Sequence, residues 1–366
     1  MASTARHGTG PSDVVELRSD TFTLPTPRML EAMTTAPLGD DVYGEDPTAR
    51  ELELLAASLL GKEDACFMPS GTMANLAAIL AHCPRGTKAL AGAESDIYIY
   101  EAGGASYCGG VVVEPVANAA DGTMALADIE AAFPPDPDDP QFALPALLCL
   151  ENPQNRAGGR VLPLEYLAEV TALARSRGLA VHLDGARIFN AALVAGVPAQ
   201  VIAGYADSVQ FCLSKNLSAP VGSIVAGGAE FIVTVRRLRK MLGGGMRQSG
   251  VVAAAGLVAL REMTARLGDD HATARRFAEG LTEIPGVTVE PVETNMVFFR
   301  VDTPGLSQAE FMSLAWAEGV RLAELGRGRI RAVTHAGVGE ADIDRALAVF
   351  RRILAPAPLA AASYHS

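Results

Sequence analysis

Short apolar runs of strand composition alternate with helical stretches along most of this chain, and two of those runs end on a charged residue. Leu179-Ala-Val-His-Leu-Asp184 closes on a carboxylate, and Ser208 to Leu213 leads into Ser214-Lys215. The alternation predicts an α/β protein with a mostly parallel central sheet. Polar chemistry at the ends of apolar strands lies where open α/β sheets place their ligands. Between these runs the sequence predicts a helix over Glu51 to Leu60, preceded by Asp46-Pro47-Thr48. It also predicts a strand entering a turn over Asp64 to Ser70, a helix over Gly71 to His82, a strand over Leu144 to Leu150 and a helix over Leu164 to Arg177.

At 366 residues the chain exceeds one typical core, so a large domain plus a smaller one is expected. From about Arg261 the pattern changes to a helix (Thr264–Leu281), an alternating strand (Val287–Val301), a helix (Ser307–Gly319), a strand (Arg329–Val333) and a helix (Ile343–Leu354). This assigns 13–260 to the large domain, with 13–48 contributing to its site, and 261–354 to a small C-terminal α+β domain. Residues 1–12 and 355–366 lack a sustained apolar period and are expected to fray.

Thirty Lys and Arg against 42 Asp and Glu give a net charge of −12, which repels polyanions and removes nucleic acid as a partner. No apolar run reaches the roughly 18 residues that cross a bilayer, so no membrane association is expected. The five cysteines show neither CxxC nor Cys/His spacing, so no metal is expected, and reduced thiols in a cytoplasm account for them. There is no GxGxxG at a strand–helix junction and no GxxxxGK[ST], hence no cradle for a dinucleotide or a nucleoside triphosphate. The Gly243-Gly-Gly245 run reads equally as a flexible hinge.

Pro69-Ser-Gly-Thr-Met-Ala-Asn75 puts hydroxyl residues and a glycine between a strand and a helix. Such a segment is either an ordinary helix cap or a cup for one phosphate. Asp184 and Lys215 taken singly read as edge charges. Together with the cup they meet the needs of pyridoxal 5'-phosphate (PLP): an acid for the ring nitrogen, an amine for the aldehyde and an anion site.

In these segments the chain resembles the L-threonine aldolases of the fold-type I PLP enzymes, within the beta-eliminating lyase group. The resemblance is carried by Leu17-Arg-Ser-Asp-Thr21, Gly39-Asp-Asp-Val-Tyr-Gly-Glu-Asp-Pro-Thr48, the Pro69–Asn75 segment and Tyr100-Glu-Ala-Gly-Gly104, then by His182-Leu-Asp-Gly-Ala-Arg187, Cys212-Leu-Ser-Lys215, Ala219-Pro-Val-Gly-Ser223, Gly243-Gly-Gly-Met-Arg-Gln248 and Val333-Thr-His335. It implies a transferase-like fold with a large PLP-binding domain and a smaller C-terminal one. Lys215 resembles the Schiff-base lysine, Asp184 the partner of the ring nitrogen and Arg187 the side chain orienting that ring edge. Ser70, Gly71 and Thr72 resemble the phosphate cup, reached by Arg247 across a subunit boundary in a homodimer or homotetramer with shared sites. Ser19 and Arg331 resemble the clamp on the substrate carboxylate, and Tyr43 and Lys240 resemble residues lining the site from a neighbouring chain. Tyr100 is taken with them as substrate-binding, and Tyr43 with the catalytic residues.

Two positions depart from the family's pattern. Asp96 stands where a histidine usually lies near the cofactor ring, and Glu151-Asn-Pro-Gln154 replaces Glu-Asn-Thr-His. Asp96 and Gln154 therefore join Lys215, Asp184 and Tyr43 as catalytic candidates. The resemblance implies an aldehyde-lyase that cleaves or forms the Cα–Cβ bond of a β-hydroxy-α-amino acid, giving glycine and an aldehyde. The lost imidazoles keep two other readings open, a PLP-dependent racemase or β-eliminating lyase, and an inactive PLP-binding homologue.

Overall fold

The computed structural model describes residues 14–326 and 328–355, so the terminal stretches 1–13 and 356–366 lie outside the described residues. Its central sheet has seven strands in the spatial order Asp64–Met68, Ser223–Gly227, Ser208–Cys212, Ala180–Asp184, Pro145–Glu151, Lys88–Gly92 and Val112–Val116. Ser223–Gly227 runs antiparallel to both of its neighbours, and the other pairings are parallel. Six strands therefore point the same way. Their carboxyl ends bring Ser70, Asp96, Glu151, Asp184 and Lys215 to one edge, as the apolar runs ending in polar residues foretold.

The strands are apolar because both sheet faces are covered. A continuous core includes Phe67, Leu148, Leu183, Phe211 and Ile224, and helix Pro47–Leu60 adds Leu52 and Leu60. That helix begins four residues before the expected Glu51. Pro47 fits the first turn and Asp46 caps it, its Oδ1 accepting from the Ala49 N–H at 2.9 Å. The chain leaves the helix at Gly61, which is left-handed (φ +61°).

The smaller unit is a four-stranded antiparallel sheet, Ala323–Glu324, Ile330–Val333, Met296–Val301 and Val287–Val289, covered by helices Leu267–Thr282, Gln308–Ala317 and Glu340–Ile353. Phe277, Phe299, Phe311 and Phe350 meet at its centre, with centroids 5.0–6.5 Å apart. Each ring, fully buried, contributes about 1.5–3 kcal/mol of apolar transfer. The single strand expected over Val287–Val301 is two strands paired with each other, Val287–Val289 and Met296–Val301. Pro291 cannot donate a ladder hydrogen bond, and the chain turns between them.

The units also meet differently from a boundary at residue 260. Leu267 packs in the large core, while Ala274, Phe277 and Leu281 of the same helix pack in the small one. Val15–Glu16 pairs with Val320–Arg321, placing Val15 and Leu17 in the small core. The segment 14–48 thus crosses from one unit to the other, carrying Ser19 and Asp20 past the strand ends.

Candidate active site

On strand Ala180–Asp184, His182 and Asp184 are two residues apart and share one face of the sheet. The neighbouring strand sets Ser208 opposite His182 and Gln210 opposite Asp184. Asp184 is buried and accepts from the Gln210 amide at 2.7 Å, the Asn75 amide at 2.8 Å and the Ala186 backbone N–H at 3.1 Å. Burial pushes its pKa up, the Lys215 charge pulls it down and the Asp96 charge raises it, with a net upward shift. Its direct hydrogen bonds come from neutral donors.

Lys215 follows strand Ser208–Cys212, and its carbonyl accepts from Thr23 Oγ1 at 2.9 Å, which ties the loop to the N-terminal segment. Burial disfavours the ammonium and Arg187 repels it. Cys212, Asp96 and Asp20 outweigh both, and the Lys215 pKa lies above that of an ordinary lysine. Lys215, Asp184 and Asp96 therefore sit within one another's electrostatic reach.

Arg187 is held by Asp20. The guanidinium donates from Nε and Nη2 to the two carboxylate oxygens, both at 2.6 Å, and both side chains are buried. Burial would raise the Asp20 pKa, but the Arg187 charge and hydrogen bonds lower it to about 2. Ser19 caps the 3-10 turn that presents Asp20, its Oγ accepting from the Thr21 N–H at 3.3 Å.

Arg331 lies on strand Ile330–Val333. Its Nη1 donates to Asn155 Oδ1 at 2.8 Å and its Nη2 to the Arg18 carbonyl at 3.1 Å, while Nε is buried with no hydrogen-bond partner among the described residues. Burial and the nearby Arg187 hold its pKa below the ordinary arginine value. A guanidinium so placed favours an incoming anion. Asn155 also donates to Asp96 Oδ1 at 3.0 Å. Beneath the pair, the two oxygens of Glu151 accept the backbone N–H groups of Asp96 (2.7 Å) and Asn155 (2.8 Å). Burial, with the Asp96 and Asp184 charges, pushes the Glu151 pKa well up.

Ser70 caps helix Gly71–His82, its Oγ accepting from the Met73 N–H at 3.2 Å. The N–H groups of Gly71 and Thr72 have no acceptor within the helix and add to its positive end. A Cβ at Gly71 would stand 2.9 Å from Cys212 Sγ, so glycine is what lets the helix start lie against the strand leading to Lys215.

The remaining candidates join other groups. Gln154 is buried, with Nε2 donating to the Glu94 carbonyl at 2.8 Å and Oε1 accepting from the Ala157 N–H at 2.5 Å, so both ends of its amide are committed to backbone. Tyr100 accepts from Arg156 Nη1 at 2.8 Å and is half-exposed. Tyr43, 75% exposed, and Lys240 line a separate groove of about 540 Å³ with Asp41, Arg237 and Arg239. Arg247 is exposed and pairs with Asp40 at 2.9 Å.

Sequence reading passed over Asp20, Asn75, Glu101, Glu151, Asn155 and Gln210. Glu151 carried a usable signal, since it ends an apolar run as Asp184 does. Asp20 and Asn75 lie inside segments already singled out, as neighbours of residues given roles. Asn155 and Gln210 become visible only through their contacts.

Residues 16–304 match the family model described as beta-eliminating lyase. The low specificity L-threonine aldolase of Escherichia coli is 46% identical over 343 residues, covering 93% of this chain and all of that one. Low-specificity L-threonine aldolase 1 of Arabidopsis thaliana is 45% identical over 344 residues, covering 93% and 96%. The threonine aldolase structure from Leishmania major superposes with a TM-score of 0.79 at 22% identity, covering 93% of this chain and 99% of that one. A structure of SPT with PLP superposes with a TM-score of 0.71 at 22% identity, covering 93% and 87%. The strand-end acid, the lysine beyond the next strand and the capped helix beside them are thus set in a fold and a sequence of one kind, and the chain belongs to the beta-eliminating lyase family.

Proposed function

We propose that this chain is a PLP-dependent aldehyde-lyase of the threonine aldolase type, cleaving and forming the Cα–Cβ bond of a β-hydroxy-α-amino acid with glycine and an aldehyde as the other side of the reaction. The single observation that carries this is the grouping of Lys215 and Asp184 at one sheet edge in a chain 46% identical to a low specificity L-threonine aldolase.

The residues present fit the cofactor. Asp184 is a buried acid fixed by neutral donors, which suits it to a protonated ring nitrogen. The Gly71 and Thr72 N–H groups at a helix N-terminus suit a phosphate. Lys215 supplies the amine that holds the aldehyde carbon, and Arg187, locked by Asp20, supports the ring edge. When bound, PLP provides the electron sink for the pair left at Cα.

The chain's own side chains do the rest. Arg331, with Nε buried and free to donate, binds the substrate carboxylate beside Ser19. A carboxylate held there fixes the orientation of Cα, and with it which bond breaks. Asp96, held through one oxygen by Asn155, takes the β-hydroxyl proton and returns it in the synthetic direction. This assigns the proton step to a carboxylate in place of the two imidazoles usual in the family. Gln154, committed at both ends, shapes the loop and moves no proton.

The reading extends to a homodimer or homotetramer in which Tyr43, Lys240 and Arg247 complete a neighbour's site. Their exposure, and the groove that Tyr43 and Lys240 line without any of the residues at the strands' carboxyl ends, support it. A cytoplasmic setting is supported by five cysteines that are all unpaired. The test is to incubate the PLP-loaded protein with a panel of β-hydroxy-α-amino acids and to measure glycine and aldehyde. Both products are expected from at least one member, and their absence with every member overturns the proposal.

A further inference from the structure

Behind Asp184, Asn75 belongs to a row of buried and part-buried polar side chains whose farther members, His182, Ser208 and His82, the proposed reaction does not use. The row is built by the register of two strands and one helix. His182 and Asp184 face Ser208 and Gln210 across the sheet, and helix Gly71–His82 lays Asn75 and His82, two turns apart, over the same face. His82 Nε2 is 2.8 Å from Ser208 Oγ, Ser208 Oγ is 2.8 Å from His182 Nδ1, and His182 Nε2 is 3.0 Å from Asn75 Oδ1. Asn75 Nδ2 then reaches Asp184 at 2.8 Å and Glu101 at 2.7 Å.

With both imidazoles neutral, as their burial favours, donors and acceptors allow this row one direction. The end facing Asp184 must be the NH2 of Asn75, because an amide oxygen there would oppose a carboxylate that already serves as acceptor to the Gln210 amide and the Ala186 N–H. Asn75 Oδ1 then accepts, so His182 carries its proton on Nε2. His182 Nδ1 is left as an acceptor and takes the Ser208 hydroxyl proton, and the Ser208 oxygen takes a proton from His82 Nε2. Both imidazoles are neutral in this arrangement. Burial agrees, lowering the His182 pKa to about 3 and that of His82 to about 4.

We infer that Asn75 is a positioning residue for Asp184, and that His182, Ser208 and His82 act through it by fixing which way its amide points. An amide so oriented satisfies one Asp184 oxygen while Gln210 satisfies the other, leaving the carboxylate one orientation toward the ring nitrogen it is proposed to hold. Reversing the Asn75 amide would turn its oxygen on Asp184 and break the bond to His182 as well. The inference rests on the proposed PLP site for its consequence, whereas the row itself stands without the cofactor.

Two measurements test it. In holoenzyme with 15N-labelled histidine, NMR should show His182 and His82 neutral and protonated on Nε2, and a proton on Nδ1 of His182 or a charged ring overturns the row. The second compares PLP affinity and the visible absorption of the bound cofactor in wild type, Ser208→Ala and Asn75→Leu. The dissociation constant should rise about tenfold in Asn75→Leu and by a smaller factor in Ser208→Ala, with the absorption band moved in both, the scale of one lost hydrogen bond to a charge. Wild type that takes up no PLP overturns the functional reading. Wild type that binds it while both variants match its affinity and spectrum overturns the positioning role alone.

Discussion

Arg187 donates to both carboxylate oxygens of Asp20 at 2.6 Å, joining a side chain beyond the end of a central strand to one that arrives from the N-terminal segment. The pair is buried, so each charge depends on the other for what water would otherwise supply. Because Val15 and Leu17 are anchored in the small unit's core, the same pair ties the two units together at the site.

Removing one partner should therefore cost more than removing a surface ion pair. Asp20→Ala is expected to destabilise the protein by about 3–5 kcal/mol in urea denaturation, because it leaves the Arg187 charge buried and unpaired. A change below about 1 kcal/mol, the level of an exposed pair, would contradict the burial argument.

Acid should expose two groups of residues in sequence. The folded pKa values of His82 and His182, about 4 and about 3, lie below the ordinary 6.5, so the unfolded chain binds more protons in that interval. Their contribution is present above about pH 6.5 and is lost as pH falls toward 4 and 3. Asp20, with a folded pKa of about 2 against an ordinary 3.8, adds a loss below pH 4. The buried carboxyls of Glu101, Glu151 and Asp184, whose pKa values are raised, act in the opposite sense over the same range, so the histidine contribution is read as a difference: from pH 7 to pH 4, thermal melts of His82→Gln should lose less stability, or gain more, than those of wild type.

Lys215→Ala should abolish turnover, by at least about a thousandfold, while leaving the fold largely intact, since the covalent hold on the cofactor goes with the amine. Glycine release and circular dichroism on the same sample check both halves. Turnover at the wild-type rate would refute the covalent role.

Asn155 joins Asp96 to Arg331, so its loss should be felt in binding and in turnover alike. Asn155→Ala is expected to lower kcat/KM by roughly ten- to hundredfold, the worth of hydrogen bonds to charged groups. Steady-state kinetics with a β-hydroxy-α-amino acid would show a raised KM from the loosened Arg331 and a lowered kcat from the misplaced Asp96.

If neighbouring chains complete each site, two inactive variants should rescue one another. Mixing Lys215→Ala with Arg247→Ala subunits and allowing exchange should restore about a quarter of wild-type activity, because one site of each mixed dimer is then intact. No recovery, with exchange verified by mass spectrometry, would place Arg247 in its own chain's site.

The sequence by itself determined the alternation of strands and helices, the strand ends at Asp184 and Lys215, the helix start at Ser70 and the family to which the chain belongs. Each of these is written in local pattern: apolar period, a cap, a charge where an apolar strand stops. Tertiary structure alone decided that Arg187 belongs to Asp20, that Asn155 links Asp96 to Arg331, that Gln154 is committed to backbone and that the segment 14–48 crosses between two cores. These outcomes depend on which strands become neighbours and in what register, and on how buried polar groups find their partners. Burial makes an unpaired charge or amide costly enough to fix such pairings, and no residue's near neighbours in the chain reveal which distant group will satisfy it.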